Sequence, residues 1–394
     1  MNTNSDLLQN LDKLHTTGMG IERIKRNLSL HTEDAVDYCK NKILLSHAVI
    51  TRNGKNWYVD VDDIVITVNA YSYTIITAHK KKLTVVRGSK KVLVTGGTVF
   101  VSRFVAEYYV KKGYDVYVLN RNNRPQCEGV RLIEADRKNL GDVLKGHHFD
   151  IVLDITAYTC EDVNLLLDAL GGFEDYVLIS SSAVYPEYET QPFTEESTLA
   201  VNKFWGKYGT DKIDAEEALI KHVPNAYILR PPYLYGPMNN VYREAFVFDC
   251  AMQERRFYLP KDGKMKLQFF HVEDLCRFID TILDKKPKHR IFNVGNKEAV
   301  SIKEWVTLCY QIVGKEAEFV NVYEEIPQRS YFSFYDYEYY LDVRRQCELM
   351  PETKPLAEGL REALAWYLEN IDKVVRKPLI EFIDENLGER DKNV

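Results

Sequence analysis

The chain has 394 residues, 45% hydrophobic and 28% charged, a composition that excludes a disordered tail and a disulfide-stapled miniprotein. With 52 Lys+Arg against 58 Asp+Glu the formal net charge is −6, so no global positive field draws the chain to nucleic acid. No run approaches the ~20 apolar residues of a membrane span, the polar start MNTNSDLLQNLDK lacks a signal peptide's apolar region, and seven scattered cysteines suit reduced thiols in a cytoplasmic protein.

Residues 1–90 carry 13 Lys+Arg against 9 Asp+Glu, and the remainder of the chain is acidic. Leu7, Leu8, Leu11 and Leu14 fall at helical spacing, as do Ile21, Ile24 and Leu28, and Glu33 to Lys42 is a third helical candidate. Alternating runs follow at Ala48–Ile50, Asn56–Val59, Ile64–Val68 and Tyr73–Ile76, with Asn53-Gly54 as a hairpin turn. Helices followed by a four-strand meander predict a small α+β module over residues 1–85, ending at the basic stretch His79 to Lys82. The module resembles an uncharacterised bacterial domain family, and its role is open.

From residue 91 strands and helices alternate: Val92–Val94, then a helix over Val101–Lys112, then Val116–Leu119, Val130–Ile133, Ile151–Leu153, Val177–Ile179 and Ala226–Leu229. That order predicts a doubly wound parallel sheet with helices on both faces and ligand chemistry just beyond the carboxyl ends of the strands. Ser301-x-x-Glu304 reads as a capping box, and Ala357–Tyr367 as another helix.

The first strand runs into Thr95-Gly96-Gly97-Thr98-Val99-Phe100-Val101-Ser102, a tight turn whose helix N-terminus suits a pyrophosphate. Ser180-Ser181-Ser182 follows a later strand, and Tyr208 and Lys212 stand four apart on one helix face. A lysine one turn from a tyrosine favours the phenolate, and a serine hydroxyl holds a substrate oxygen. Metal-ligand patterns are missing, so no metal is expected.

With these motifs in this order, residues 90–375 resemble the extended short-chain dehydrogenase/reductase superfamily, the NAD-dependent epimerase/dehydratase group. Arg230-Pro231 to Gly236-Pro237, Gln268 to Asp274 and Phe292 to Gly295 match further segments of it. The resemblance implies a Rossmann-type domain with a C-terminal substrate lobe drawn mainly from residues 232–270 and 296–375. It further implies hydride chemistry with NAD or NADP on a small-molecule sugar, nucleotide-linked as is the family's habit, and a homodimer. Ser181 would orient the substrate oxygen, with Ser182 as the alternative; Tyr208 would be the acid/base and Lys212 would lower its pKa.

For the cofactor, the resemblance implies contacts from Gly96, Gly97, Thr98, Phe100, Val101, Asn120, Arg121, Arg124, Asp136, Tyr208 and Lys212. The family places glycines where this chain has Val99 and Ser102, and a β-branched Val99 crowds a pyrophosphate. NAD users carry an acidic residue where this chain has Asn120-Arg121, with Arg124 nearby, which favours a 2′-phosphate and hence NADP over NAD. Tyr158, in Asp154-Ile155-Thr156-Ala157-Tyr158, narrows the nicotinamide site. His271 reads as structural, and the aromatic cluster Tyr331–Tyr340 as packing. The alternative to an enzyme is a catalytically degenerate Rossmann protein that binds RNA or senses cofactor.

Overall fold

The structure, a computed structural model, describes residues 3–28, 30, 34–45, 48–62, 64–80 and 89–388. The chain divides into two units, Met1–Thr84 and Val85–Val394. In the first, the spaced leucines and isoleucines form α1 (Thr3–Gln9), α2 (Gly18–Leu28) and α3 (Ala35–Ile43). Asp34 caps α3 by accepting from the N–H groups of Val36 and Asp37, each at 2.9 Å. Glu33, where the sequence pattern starts this helix, lies outside the described residues, as do Lys81 and Lys82 of the basic junction. Strands β1 (Val49–Asn53), β2 (Asn56–Val61), β3 (Ile64–Asn69) and β4 (Ile75–Lys80) form an antiparallel sheet in that order. Gly54 takes the φ of +59° that the first hairpin needs. Period-2 alternation sends Trp57, Val59 and Val61 into a core with Ile24, Cys39 and Ile43.

The second unit opens with β5 (Lys91–Thr95), α4 (Phe100–Lys111), β6 (Asp115–Asn120), β7 (Arg131–Glu134) and β8 (Phe149–Asp154). It continues through α5 (Cys160–Ala169), β9 (Phe173–Ile179), α6 (Lys207–His222), β10 (Tyr227–Arg230), β11 (Tyr233–Tyr235) and α7 (Glu244–Met252). Next come β12 (Phe257–Pro260), β13 (Lys266–Leu267), β14 (Phe269–His271), α8 (Val272–Lys285) and β15 (Ile291–Asn293). The chain closes with β16 (Val300–Ser301), α9 (Ile302–Val313), β17 (Phe319–Val322), α10 (Arg344–Leu349), α11 (Leu356–Glu369) and α12 (Leu379–Asn386).

Seven of these strands make one parallel sheet in the order β15-β10-β9-β8-β5-β6-β7. Both faces are covered, as a parallel sheet requires. Val92 and Val94 pack with Val105, Leu275 and Phe278 on one side, while Leu93 packs with Val163, Leu166 and Leu219 on the other. The strand order reverses between β5 and β8, which opens a crevice at their carboxyl ends. This is the Rossmann-like architecture, with a smaller C-terminal lobe built on Trp305, Phe332 and Phe334. The Ser301 capping box forms, with the Ser301 Oγ accepting from Glu304 N at 3.2 Å and Glu304 accepting from Ser301 N at 2.8 Å. The lobe also takes in α12, whose Leu379, Ile383 and Leu387 share its core. Arg376-Lys377-Pro378 interrupts the apolar pattern just before it, so the sequence reading stops short of that helix. Among the described residues no helix is long and apolar enough to cross a membrane.

Candidate active site

A cleft of about 600 Å³ runs from the β5–α4 turn, past the ends of β8 and β9, to the C-terminal lobe. Its first wall is the start of α4, Val99 to Ser102; the glycine turn that leads into it, Gly96 and Gly97, does not line the cleft. Gly96 and Gly97 have φ of +92° and +91°, a conformation that side chains resist. A Cβ on Gly97 would stand 2.5 Å from Val118 Cγ1, and one on Gly96 would stand 2.9 Å from Ser102 Oγ and Thr156 Cγ2. The glycines therefore let the turn lie against the sheet. Val99 occupies the N-cap of α4 with extended backbone and no capping side chain, while Ser102 Oγ donates to Val99 O at 2.9 Å. An uncapped helix start beside a cleft is a place for an anion, and Val99, Phe100, Val101 and Ser102 line it.

The remaining expected cofactor residues, Thr98, Asn120, Arg121, Arg124 and Asp136, do not line the cleft. Asn120 Nδ2 donates to Gly96 O at 2.6 Å and to Gln126 Oε1 at 3.0 Å, so its amide props the glycine turn. Arg121 and Arg124 are exposed, and Asp136 is exposed with its carboxylate accepting from Lys138 N at 2.9 Å. Thr98 stands half-buried in the turn.

Beneath the turn lies a buried charge pair that sequence reasoning missed. Asp154, fully buried, accepts from Arg137 at 2.8 and 2.6 Å, from the Tyr176 hydroxyl at 2.6 Å and from Thr95 Oγ1 at 2.8 Å. Burial opposes its charge, but the Arg137 guanidinium and these hydrogen bonds hold the carboxyl below its ordinary range. Thr95 Oγ1 in turn accepts from the N–H groups of Ile155 and Thr156 at 2.9 and 3.0 Å. The segment after β8 is thereby fixed alongside the glycine turn.

Ser181, Tyr208 and Lys212 all line the cleft. The serine run divides its tasks. Ser180 donates to Glu216, Ser181 Oγ accepts from Ala183 N at 3.1 Å, and Ser182 pairs with the Tyr339 hydroxyl at 3.1 Å. Glu216 also binds Arg230 in a fully buried ion pair that ties α6 to the end of β10. Lys212 is buried, and its Nζ donates to Ala157 O at 2.7 Å and Ile179 O at 2.9 Å. Its ammonium also lies 5.0 Å from the Tyr158 ring centroid. Burial pulls Lys212 down to about 8, against the pull of Asp154 and Glu216.

Tyr208 keeps 40% of its surface open, yet burial of its surroundings raises the phenol above its ordinary value, with Ser181 and Arg243 acting in the opposite direction and Tyr158 adding to the rise. The Lys212 ammonium, one helical turn away, is held by two carbonyls and lies against the Tyr158 ring.

At the lobe end, the aromatic cluster splits between two roles. Phe332 and Phe334 are core, whereas Tyr335 and Tyr339 reach the cleft, with Trp205 edge-on to Tyr335 at 5.2 Å. Arg243 lines the cleft there, 5.0 Å from the Tyr233 ring, and two cations from separate segments, Arg329 and Lys377, lie close enough to act on it, Arg329 at 4.9 Å from the ring of the cleft-lining Tyr335. Burial, and repulsion from Arg243, hold Arg329 below the usual arginine value. Lys377 is lowered by burial and by both arginines. Among the described residues none of the three pairs with a carboxylate, and no local sequence signal brings them together. His271 stands outside the cleft; it is buried, accepts from Glu273 N at 3.3 Å, and is pulled down to about 3 by burial and by Lys354. His271, Glu273 and Glu362 have the spacing of a cation site, but the Lys354 ammonium already bridges the two carboxylates.

Residues 8–79 match the family described as "Protein of unknown function (DUF3781)", and residues 92–295 match the NAD dependent epimerase/dehydratase family. Among curated proteins, the chain is 28% identical over 300 residues to the chloroplast stem-loop binding protein of 41 kDa b of Arabidopsis thaliana, covering 70% of this chain and 78% of that one. It is 22% identical over 324 residues to the UDP-N-acetyl-alpha-D-glucosaminuronate decarboxylase of Bacillus cytotoxicus, covering 71% and 98%. The fold is shared with dTDP-glucose 4,6-dehydratase from Bacillus anthracis, solved in complex with NAD, at a TM-score of 0.59 and 20% identity over 74% of this chain and all 100% of that one.

Proposed function

The chain belongs to the NAD dependent epimerase/dehydratase family, and from that premise we propose that it is an NAD(P)-dependent oxidoreductase, epimerase or dehydratase acting on a nucleotide-linked sugar. One observation carries this reading. A single cleft holds an uncapped helix start at one end, Ser181, Tyr208 and Lys212 along its middle, and aromatics with the cation Arg243 at the other. A dinucleotide's pyrophosphate suits the first, and a sugar nucleotide's phosphates suit Arg243 with Arg329 and Lys377 beside it. The nicotinamide, when bound, supplies a hydride acceptor or donor. Ser181 orients the reacting sugar oxygen, Tyr208 exchanges the proton on that oxygen, and Lys212 fixes the segment after β8 through Ala157. Arg121 and Arg124, exposed beyond β6 without a carboxylate at Asn120, favour NADP over NAD.

The relative named as a stem-loop binding protein supports a second reading, RNA held by the same cations. Thermal melts with NADPH, NADH, UDP-glucose and a short stem-loop RNA separate the two. The expected result is a rise in Tm with NADPH and a smaller one with NADH, since a ligand of the folded state stabilises it. Stabilisation by the RNA and by neither dinucleotide overturns the enzyme reading. Once a sugar nucleotide is found to turn over, Tyr208→Phe should cut kcat by roughly 10²–10⁴-fold while the cofactor Kd stays nearly unchanged.

A further inference from the structure

The charges of the first unit are segregated. Asp34 caps α3, Asp37 accepts from Asn41 at 3.1 Å, and Asp62 pairs with Lys42 at 2.6 Å, so the carboxylates around α3 are engaged. On α2 and β4, by contrast, stand Arg23, Lys25, Arg26 and Lys80 with a single carboxylate, Glu22. Among the described residues none of these four cations forms an ion pair. The two elements lie side by side: Thr16 Oγ1 donates to Ile75 O at 2.7 Å just ahead of α2, and Asn27 Nδ2 donates to Ala78 O at 3.3 Å near its end. Arg23 lies one turn before Asn27, and Lys80 two residues beyond Ala78, so the cations of both elements gather at that end. Arg23 and Arg26 line a concavity of about 460 Å³ with Gly18, Met19 and Glu22. At the opposite end of β4, the β3–β4 turn is tied to His15 through Thr74 Oγ1 at 3.1 Å and carries Tyr71, 75% exposed. Asn69 Oδ1 fixes that turn by accepting from Tyr71 N at 3.0 Å, and the Arg52 guanidinium lies 5.8 Å from the Tyr71 ring.

We infer that this edge of the first unit binds single-stranded nucleic acid, with phosphates on Arg23, Arg26 and Lys80 and an unpaired base on Tyr71. Guanidinium groups without carboxylate partners present their N–H donors to phosphate oxygens. The cations are spread over two elements instead of converging on a point. β4 spans ~20 Å at about 3.3 Å per residue, so phosphates at one end and a base at the other call for an extended polyanion, not a lone phosphate. An exposed aromatic ring with an arginine against it is a stacking platform, and only an unpaired base has a face free for it. A lipid surface fits less well. Ile21, Ile24 and Leu28 of α2 pack into the core of the unit, which leaves Met19 as the one apolar side chain on its outer face. Because the chain as a whole is acidic, the attraction is local, and binding should be weak and steeply salt-dependent. The surface does not depend on the proposed chemistry of Ser181, Tyr208 and Lys212.

Fluorescence anisotropy of a short labelled oligouridylate, titrated with the full chain at several salt concentrations, measures the binding. The logarithm of the association constant should fall linearly with the logarithm of salt concentration, by roughly 0.7 per phosphate neutralised. Arg23→Glu with Arg26→Glu should weaken binding by about tenfold or more and make that slope shallower, since two phosphate contacts are lost. Arg23→Gln with Arg26→Gln, gentler on the fold, should act in the same direction, with circular dichroism reporting the helices. Tyr71→Ala should weaken binding by about tenfold and keep the salt slope, because stacking carries no charge. Wild-type affinity in both arginine pairs overturns the proposal, as does wild-type affinity in Tyr71→Ala. Polyglutamate that displaces the probe as effectively as unlabelled oligouridylate would point to an acidic protein segment and also overturns it. If Arg243→Glu abolishes binding while the arginine pairs leave it intact, the strand lies in the cleft and the proposal falls. No arm of the experiment involves cofactor or turnover, so its failure is distinguishable from failure of the enzyme reading.

Discussion

Lys212 shows how much a residue's behaviour depends on what surrounds it. As a free side chain it would titrate near 10.5, but burial takes it to about 8 in the folded protein. Between those values the unfolded chain holds more protons than the folded one, so stability rises with pH across that window and is depressed below it. Relative to Lys212→Gln, the wild type should therefore gain stability from pH 8 to about 10.5, with a slope of up to ~1.4 kcal/mol per pH unit. Denaturant midpoints of both proteins, measured across that range, check the slope; parallel curves would mean that the ammonium is solvated. Tyr208 shows the same dependence from the other side. Its phenol is raised above the ordinary value by burial, against the pull of Ser181 and Arg243.

Among the elements, the β5–α4 turn makes the strongest demand on its sequence. Two successive residues at positive φ, one of them against Val118, leave no space for side chains. Gly97→Ala combines a left-handed cost of ~1–2 kcal/mol with a clash against the central sheet. It should lower the melting temperature of the second unit by several degrees and weaken dinucleotide binding, since α4 would shift. Unchanged dinucleotide affinity in that variant would detach the turn from ligand binding. The same elements hold their positions through buried polar ties that leave little freedom: Asp154 with Arg137 under the turn, and Glu216 with Arg230 under the serine run. Each opposes a large desolvation cost with a close, multiply hydrogen-bonded partner, so removing one member leaves the other stranded.

The whole molecule joins an α+β unit to a Rossmann-like unit, each with its own apolar core. Separate cores predict separate unfolding. Trp57 reports the first unit, while Trp205, Trp305 and Trp366 report the second. In thermal melts of the full chain with single tryptophans retained, NADPH should raise the transition seen by Trp305 and leave that seen by Trp57 in place. A common shift of both signals would show that the units unfold as one. The α+β-then-α/β order, the parallel sheet, the hairpin at Asn53-Gly54 and the Ser301 capping box were legible in the residues alone, because each follows from periodicity, turn chemistry or strand-end position, which act over a few residues. That Ser181, Tyr208 and Lys212 belong together was implied by the family resemblance. Only the packing of the folded chain sets the Tyr158 ring against the Lys212 ammonium, Arg137 against Asp154, and Arg329 and Lys377 beside the cleft-lining Arg243. Those meetings join segments far apart in the chain; Lys212 and Ala157, for instance, are 55 residues apart. They are set by how helices and loops pack around shared cores, and packing leaves no repeating mark in the residues it brings together.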